Sequence, residues 1–199
     1  RIEAITYWVL EHAILASQAL NAGEHPMQMS VNLSARMVDQ PGLVDRVHRI
    51  VQQHRFDPAQ LTFEVTETFN MTNRELARRN LAGLRDLGFR LSIDDFGTGQ
   101  ASLAYLAEIP SDEIKLDKRF IQPITRSRRE RQIVNAVIRL AHALGHVVVA
   151  EGVEEAETLA VLERMRCDVA QGYYIGRPMR LDDLMMVLEG KSQPIDHAI

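Results

Sequence analysis

The chain has 199 residues, 46% of them apolar and 25% charged, and its 23 basic and 27 acidic residues leave a formal charge of −4. Those proportions exclude wholesale disorder, and a pI near 6.0 argues against a surface built to grip the phosphates of a nucleic-acid polymer. The single cysteine, Cys167, excludes an internal disulfide framework and suits a reducing compartment, while no run approaches the roughly 18 apolar residues of a membrane span.

The first predicted element is a helix over residues 2–20. Its apolar residues Ile5, Trp8, Val9, Ile14, Leu15 and Leu20 fall at roughly helical spacing, and Asn21-Ala-Gly23 is its stop. The start, RIEAITYWVL, has neither an initiating Met nor the form of a signal peptide, and reads as the middle of a longer chain. From there short β-rich runs alternate with helical ones. Strands are expected over 27–33, 61–66, 89–93, 113–116, 146–150 and 168–170. Helices are expected over 43–54, 74–87, 101–107, 129–144, 156–165 and 181–188. Gly88 and Gly145 each stand between a helix and a strand, the usual place of a left-handed C-cap. With no linker, low-complexity tract or shift in composition, residues 1–199 read as one domain, with 191–199 as a C-terminal tail.

Six consecutive βα units after a leading helix imply a parallel sheet, open or closed into a barrel. Polar residues decide between the two. The strands end in Asn32, Glu64 with Glu67, Asp94 with Asp95, Lys115 with Asp117, Glu151 with Glu154, and Gln171. An open sheet gathers ligand groups at one switch point. A (β/α)8 barrel puts them on most strand ends, because those ends surround one mouth. Such a barrel typically takes about 250 residues, so this one is expected to be incomplete by about two strands at its N-terminus.

In a barrel, Glu64, Asp94, Asp95 and Glu151 would converge. Carboxylates that close cannot all stay ionised without positive charge among them, and one lysine, Lys115, cannot neutralise four acids. Raised pKa values or a bound cation would answer this, a divalent metal the more economically, and carboxylates with the amide oxygen of Asn32 suit hard ions such as Mg²⁺ or Mn²⁺. No histidine falls at a strand's C-terminal end, and neither HExxH nor CxxC occurs, which argues against zinc. An aspartate bridging two ions roughly 3.5–4 Å apart is the arrangement used for in-line attack on phosphate esters. The bland alternative is that the acids are solvated loop residues or helix N-caps. The Gly97-Thr98-Gly99 turn lacks the spacing of a phosphate-cradling loop.

Six motifs occur in order: Val31-Asn32-Leu33-Ser34, Glu64-Val-Thr-Glu67, Ile93-Asp-Asp-Phe-Gly-Thr-Gly99, Ile114-Lys-Leu-Asp117, Ala150-Glu-Gly-Val-Glu154, and Gln171-Gly-Tyr173 with Pro178-Met179. In order and spacing they resemble the EAL domain, a family of cyclic-di-GMP-specific phosphodiesterases, and the resemblance runs to about Gly190. It implies that Asn32, Glu64 and Asp94 hold one Mg²⁺ or Mn²⁺ ion, and that Asp94, Asp95 and Glu151 hold a second. Lys115 would stabilise the growing phosphate charge, and Glu151 would assist deprotonation of the attacking water. Glu154 and Gln171 would orient the groups around the metals. Glu67 would fix the 94–102 loop, which in the family couples metal binding to dimerisation. The implied reaction is hydroxide attack in line on phosphorus, opening cyclic di-GMP to linear pGpG. A homodimer, attached sensory or cyclase domains, and a cytoplasmic catalytic domain whose parent is open to membrane tethering are the associated expectations.

One departure stands out. Nothing here matches the Glu-Ala-Leu of the family's first strand, whose Glu binds metal and whose following Arg contacts phosphate. Glu3-Ala4-Ile5 lies on the leading helix without that Arg.

The remaining features have bland readings. Arg126-Ser-Arg-Arg-Glu-Arg131 reads as a solvated loop and helix start, Cys167 as a buried unreactive thiol, and His142 and His146 as structural. Met185 and Met186 read as core. Tyr173, and with it Pro178, is a candidate contact for the guanine base, against plain rim packing. The leading reading is a cyclic-di-GMP phosphodiesterase. Its competitors are a non-cleaving EAL domain that binds cyclic di-GMP or a protein, and an enolase-like barrel that the adjacent aspartates fit poorly.

Overall fold

A computed structural model describes residues 2–22, 27–66, 73–98 and 109–190. The predicted helix over 101–107, the tail at 191–199, Glu67 and Gly99 lie outside those residues. The chain divides into two compact units, Arg1–Glu113 and Ile114–Ile199.

The first unit opens with α1 (Ile2–Leu20), followed by β1 (Met29–Asn32), α2 (Ala35–Val38), α3 (Leu43–His54), β2 (Leu61–Thr66), α4 (Arg74–Asp86) and β3 (Arg90–Phe96). The apolar spacing of α1 misleads in one respect. Its buried face is Leu10, Ile14, Ser17 and Leu20, whereas Ile5, Trp8, Val9 and Leu15 are exposed. In α3 the buried residues Leu43, Val47, Ile50 and Val51 form one stripe, and in α4 Ala77, Asn80, Leu81 and Leu84 form another. Asn73 caps α4 by accepting the Leu76 N–H at 3.1 Å. Asn80 is buried yet satisfied, donating to the carbonyls of Val38 and Gln40 at 2.7 and 2.9 Å. The strands β1, β2 and β3 pair in parallel in that order.

The second unit holds β4 (Glu113–Leu116), which begins at the boundary, then α5 (Lys118–Ile121), α6 (Arg128–Ala143), β5 (Val147–Ala150), α7 (Ala156–Arg164), β6 (Val169–Ala170) and α8 (Leu181–Leu188). Its strands run in the order β4, β5, β6, with β5 and β6 parallel. The helix α6 packs on β5 through Val134, Ile138 and Ala141. Ser127 and Glu130 bond to each other at the start of α6, the spacing of a capping box inside the arginine run. Arg131 in that run donates to the carbonyls of Ile124 and Thr125, both at 2.9 Å, so it ties the helix to the preceding turn. The expectation that Met185 and Met186 are core is corrected. No residue of α8 is buried and Met186 is 44% exposed.

Gly88 and Gly145 carry φ of +102° and +82°, the left-handed C-caps expected of them. Around them each unit repeats one device at the same spacing. Asp112, just before β4, accepts the Leu91 N–H at 2.9 Å and Arg85 Nη2 at 2.7 Å. Asp168, just before β6, accepts the Val148 N–H at 2.8 Å and lies 2.8 Å from His142 Nε2. Basic side chain, glycine and strand residue follow at intervals of three: Arg85, Gly88, Leu91 and His142, Gly145, Val148. One carboxylate thus ties a helix end to a strand start, which gives His142 the structural role expected of it. Cys167 is half-buried rather than fully buried. Its thiol lies 3.5 Å from the carbonyls of Val148 and Val169, and burial pushes its pKa up to about 11.

Candidate active site

The register of the first unit sorts its side chains onto two faces, because residues paired across a parallel ladder point the same way and alternate along each strand. Asn32 pairs with Glu64 and Glu64 with Ser92, forming one polar row. Thr66 pairs with Asp94 in the row above, and Ser30, Thr62 and Arg90 form the row below. The opposite face is Val31, Phe63, Leu91, Val65 and Ile93, all buried. Parallel strands are ordinarily apolar on both faces, so an entire polar face is a departure of the kind functional sites show. Within it Glu64 is buried, and Ser92 is 0% exposed with no partner for its hydroxyl among the described residues. Leaving a buried hydroxyl unpaired costs about 1–3 kcal/mol, which the fold tolerates here.

Asp94 and Asp95 end that face, both half-buried. Strict alternation would aim them to opposite sides of the sheet. Asp95 instead adopts φ +56°, a left-handed conformation that Asp enters more readily than most residues, and this turns the backbone at the strand end. The turn is held by Asp94 Oδ1, which accepts the Asp95 N–H at 3.0 Å, and by Asp95 O, which accepts the Thr98 N–H at 3.2 Å.

In the second unit Lys115 Nζ lies 2.7 Å from Glu151 Oε1, with side chains 5% and 20% exposed. The Glu151 N–H donates to Leu116 O at 3.0 Å, so the ends of β4 and β5 hold the pair together. Gln171 is exposed just past β6, where its N–H donates to Ala150 O at 2.8 Å and its carbonyl accepts from Val153 N–H at 3.0 Å. A side chain at Gly172 would place its Cβ 2.2 Å from Val153 O, so only glycine permits this close approach. Glu154 is exposed and accepts Gln122 Nε2 at 3.1 Å. Tyr173 and Pro178 are exposed as well, and the Arg177 guanidinium lies 4.8 Å from the Tyr173 ring centre.

Within the first unit, then, Asn32, Glu64 and Asp94 share a face, with Asp95 at its edge; within the second, Lys115 and Glu151 meet. Asp117 belongs to neither group. It caps α5, accepting the Arg119 N–H at 2.8 Å and Arg119 Nε at the same distance, which is the bland reading of a strand-end acid. Sequence reasoning passed over Ser92. The signal was the period-two run of polar residues, Thr62, Glu64 and Thr66 beside Ser92 and Asp94.

A family model described as the EAL domain matches residues 1–178 of the chain. The chain belongs to the EAL-domain family. Among relatives, the cyclic di-GMP phosphodiesterase NbdA of Pseudomonas aeruginosa is 40% identical over 181 residues, 90% of this EAL chain and 23% of NbdA. MucR of the same organism, a bifunctional diguanylate cyclase and cyclic di-GMP phosphodiesterase, is 37% identical over 92% of the chain and 27% of MucR. The chain thus spans about a quarter of the length of these curated relatives. The solved EAL domain of Mycobacterium smegmatis DcpA superposes with a TM-score of 0.87 at 31% identity, over 94% of this chain and 85% of that one. A MucR phosphodiesterase solved as a cyclic di-GMP complex gives 0.84 at 37% identity, over 92% and 74%. The fold class is accordingly the EAL type of (β/α)8 barrel expected from the sequence, incomplete at six strands among the described residues. Among those residues no helix is long and apolar enough to cross a membrane.

Proposed function

We propose that this EAL domain is a metal-dependent phosphodiesterase that hydrolyses cyclic di-GMP to linear pGpG, serving bacterial second-messenger signalling. The observation that carries this reading is the polar face on which Asn32, Glu64 and Asp94 stand together, in a family whose relatives here are named cyclic di-GMP phosphodiesterases. On this reading both compact units belong to one catalytic domain, since a single family model runs across both.

The donor set is all oxygen, which fits Mg²⁺ or Mn²⁺. Asn32, Glu64 and Asp94 would hold one ion, and Asp94, Asp95 and Glu151 the second. Two such ions, when bound, make water a nucleophile at neutral pH and neutralise phosphate charge. The chain's own residues do the rest. Lys115 donates to the phosphate oxygen on which charge grows, a stabilisation of the oxyanion-hole kind. Glu151 takes the proton of the attacking water as the new oxygen–phosphorus bond forms. The 3′-oxygen leaves with its electron pair and takes a proton from solvent, and the opened ring is linear pGpG. Glu154 and Gln171 orient these groups, Tyr173 and Pro178 contact a guanine base, and Glu67 fixes the 94–102 loop. The working assembly is a homodimer in the cytoplasm, within a parent that carries sensory or cyclase domains. MucR, with both activities in its name, supports that arrangement.

Incubating cyclic di-GMP with this chain, and with the same chain extended upstream, in Mg²⁺ or Mn²⁺ tests the reading. Linear product is expected. Tight binding without product would make the domain a receptor instead, and no binding by either protein removes both nucleotide readings.

A further inference from the structure

We infer that Ser92 is a positioning residue for the metal-binding carboxylates, its buried hydroxyl holding one ordered water between Glu64 and Asp94. The inference rests on the metal site proposed above. Three observations lead to it. The hydroxyl is 0% exposed and has no partner among the described residues, whereas the buried amide of Asn80 is satisfied. Ser92 stands opposite Glu64 in the β2–β3 register. It also precedes Asp94 by two residues on β3, so all three side chains leave the same face of the sheet.

The chemistry completes the picture. A carboxylate that binds a cation through one lone pair keeps others that need donors, and groups supplying them fix its orientation. A serine hydroxyl has one proton to give, too few for two carboxylates. One water accepting that proton and donating one hydrogen to each carboxylate makes three hydrogen bonds, the usual number for a buried water. The orphaned hydroxyl and the paired register are both accounted for by this single molecule, which adds one donor to carboxylates that already have other partners, such as the Asp95 N–H on Asp94.

The competing explanation is that Ser92 merely fills space. Titrating Mn²⁺ into the chain, followed by the loss of the free-ion electron paramagnetic signal, separates the two without reference to turnover. Ser92→Ala is expected to weaken Mn²⁺ binding about tenfold, while the unfolding midpoint in chelator is unchanged or raised, since an orphaned hydroxyl has been removed. Ser92→Thr, which keeps the hydroxyl, is expected to restore affinity. Equal affinity in Ser92→Ala and the parent would overturn the inference. So would a Ser92→Ala protein that loses affinity and metal-free stability together with no rescue by Ser92→Thr. A parent chain that binds no Mn²⁺ refutes the metal reading itself, and this inference with it.

Discussion

The ammonium of Lys115, on β4, lies 2.7 Å from a carboxylate oxygen of Glu151, immediately past β5. Because both side chains are largely buried, each supplies the charge that makes the other tolerable there, and truncating one strands its partner. A purely structural pair and a catalytic pair diverge when both are changed. Lys115→Met alone is expected to lower both the unfolding midpoint and turnover, the latter by about a hundredfold or more if it stabilises the phosphate charge. The double change Lys115→Met with Glu151→Gln is expected to recover much of the midpoint and none of the turnover. Recovery of both, read by calorimetry and by product formation, would reduce the pair to a structural role.

Asp94 and Asp95 are adjacent but separable. Asp94→Asn removes a carboxylate without changing size, and is expected to weaken Mn²⁺ binding by more than about a hundredfold with little change in the metal-free unfolding midpoint. Asp95→Asn should also fold normally, because Asn accepts the left-handed φ of +56°. Asp95→Val should not, since a β-branched residue at that φ is strained by roughly 1–2 kcal/mol. Thermal unfolding of the two Asp95 variants checks the backbone claim independently of metal.

The carboxylates of Asp112 and Asp168 each take up a strand N–H that would otherwise be unpaired, on the fully buried Leu91 and Val148. Replacing either by Ala is expected to cost about 1–3 kcal/mol, or roughly 2–4 °C of midpoint for each kcal/mol in a chain of this size. Asn, which keeps one carbonyl oxygen, should cost less. An Asp168→Ala protein as stable as the parent would show that the clamp at β6 is dispensable.

Cys167 should be inert in the native state and alkaline-sensitive. With its pKa raised to about 11 by burial, only about one thiol in a thousand is ionised at pH 8. Iodoacetamide should therefore label it slowly until the chain unfolds. The folded thiol holds its proton more tightly than the unfolded one, whose ordinary value is 9.0. Its contribution to stability is intact below about pH 9 and is lost as the pH rises toward 11. The difference in midpoint between the parent and Cys167→Ser, followed from pH 8 to pH 11, should narrow if this holds and stay constant if the thiol titrates normally.

Much of this was readable from sequence where one residue type suffices. The strands over 61–66 and 113–116 and the helices over 43–54 and 181–188 match the structure at both ends. They are short periodic runs bounded by clear breakers. The ends of β3 were not readable. The strand runs past the apolar run to Phe96 through Asp94 and a left-handed Asp95, a conformation that the pattern does not encode. The buried face of α1 was not readable for a related reason: apolar residues surround it, and only packing decides which of them, Ile14 or Leu15, points inward. The site residues were legible as strand endings, but their company was not. That Glu64 stands beside Asn32 and Ser92 depends on register, which no single strand reveals.

Hydrolysis in ¹⁸O-labelled water with Mn²⁺ present is the measurement that tests the central claim most directly. The expected result is linear pGpG carrying one ¹⁸O atom on its 5′-phosphate per turnover, absent in chelator and absent from Asp94→Ala. Cyclic di-GMP recovered intact, or product whose phosphate is unlabelled, would contradict it.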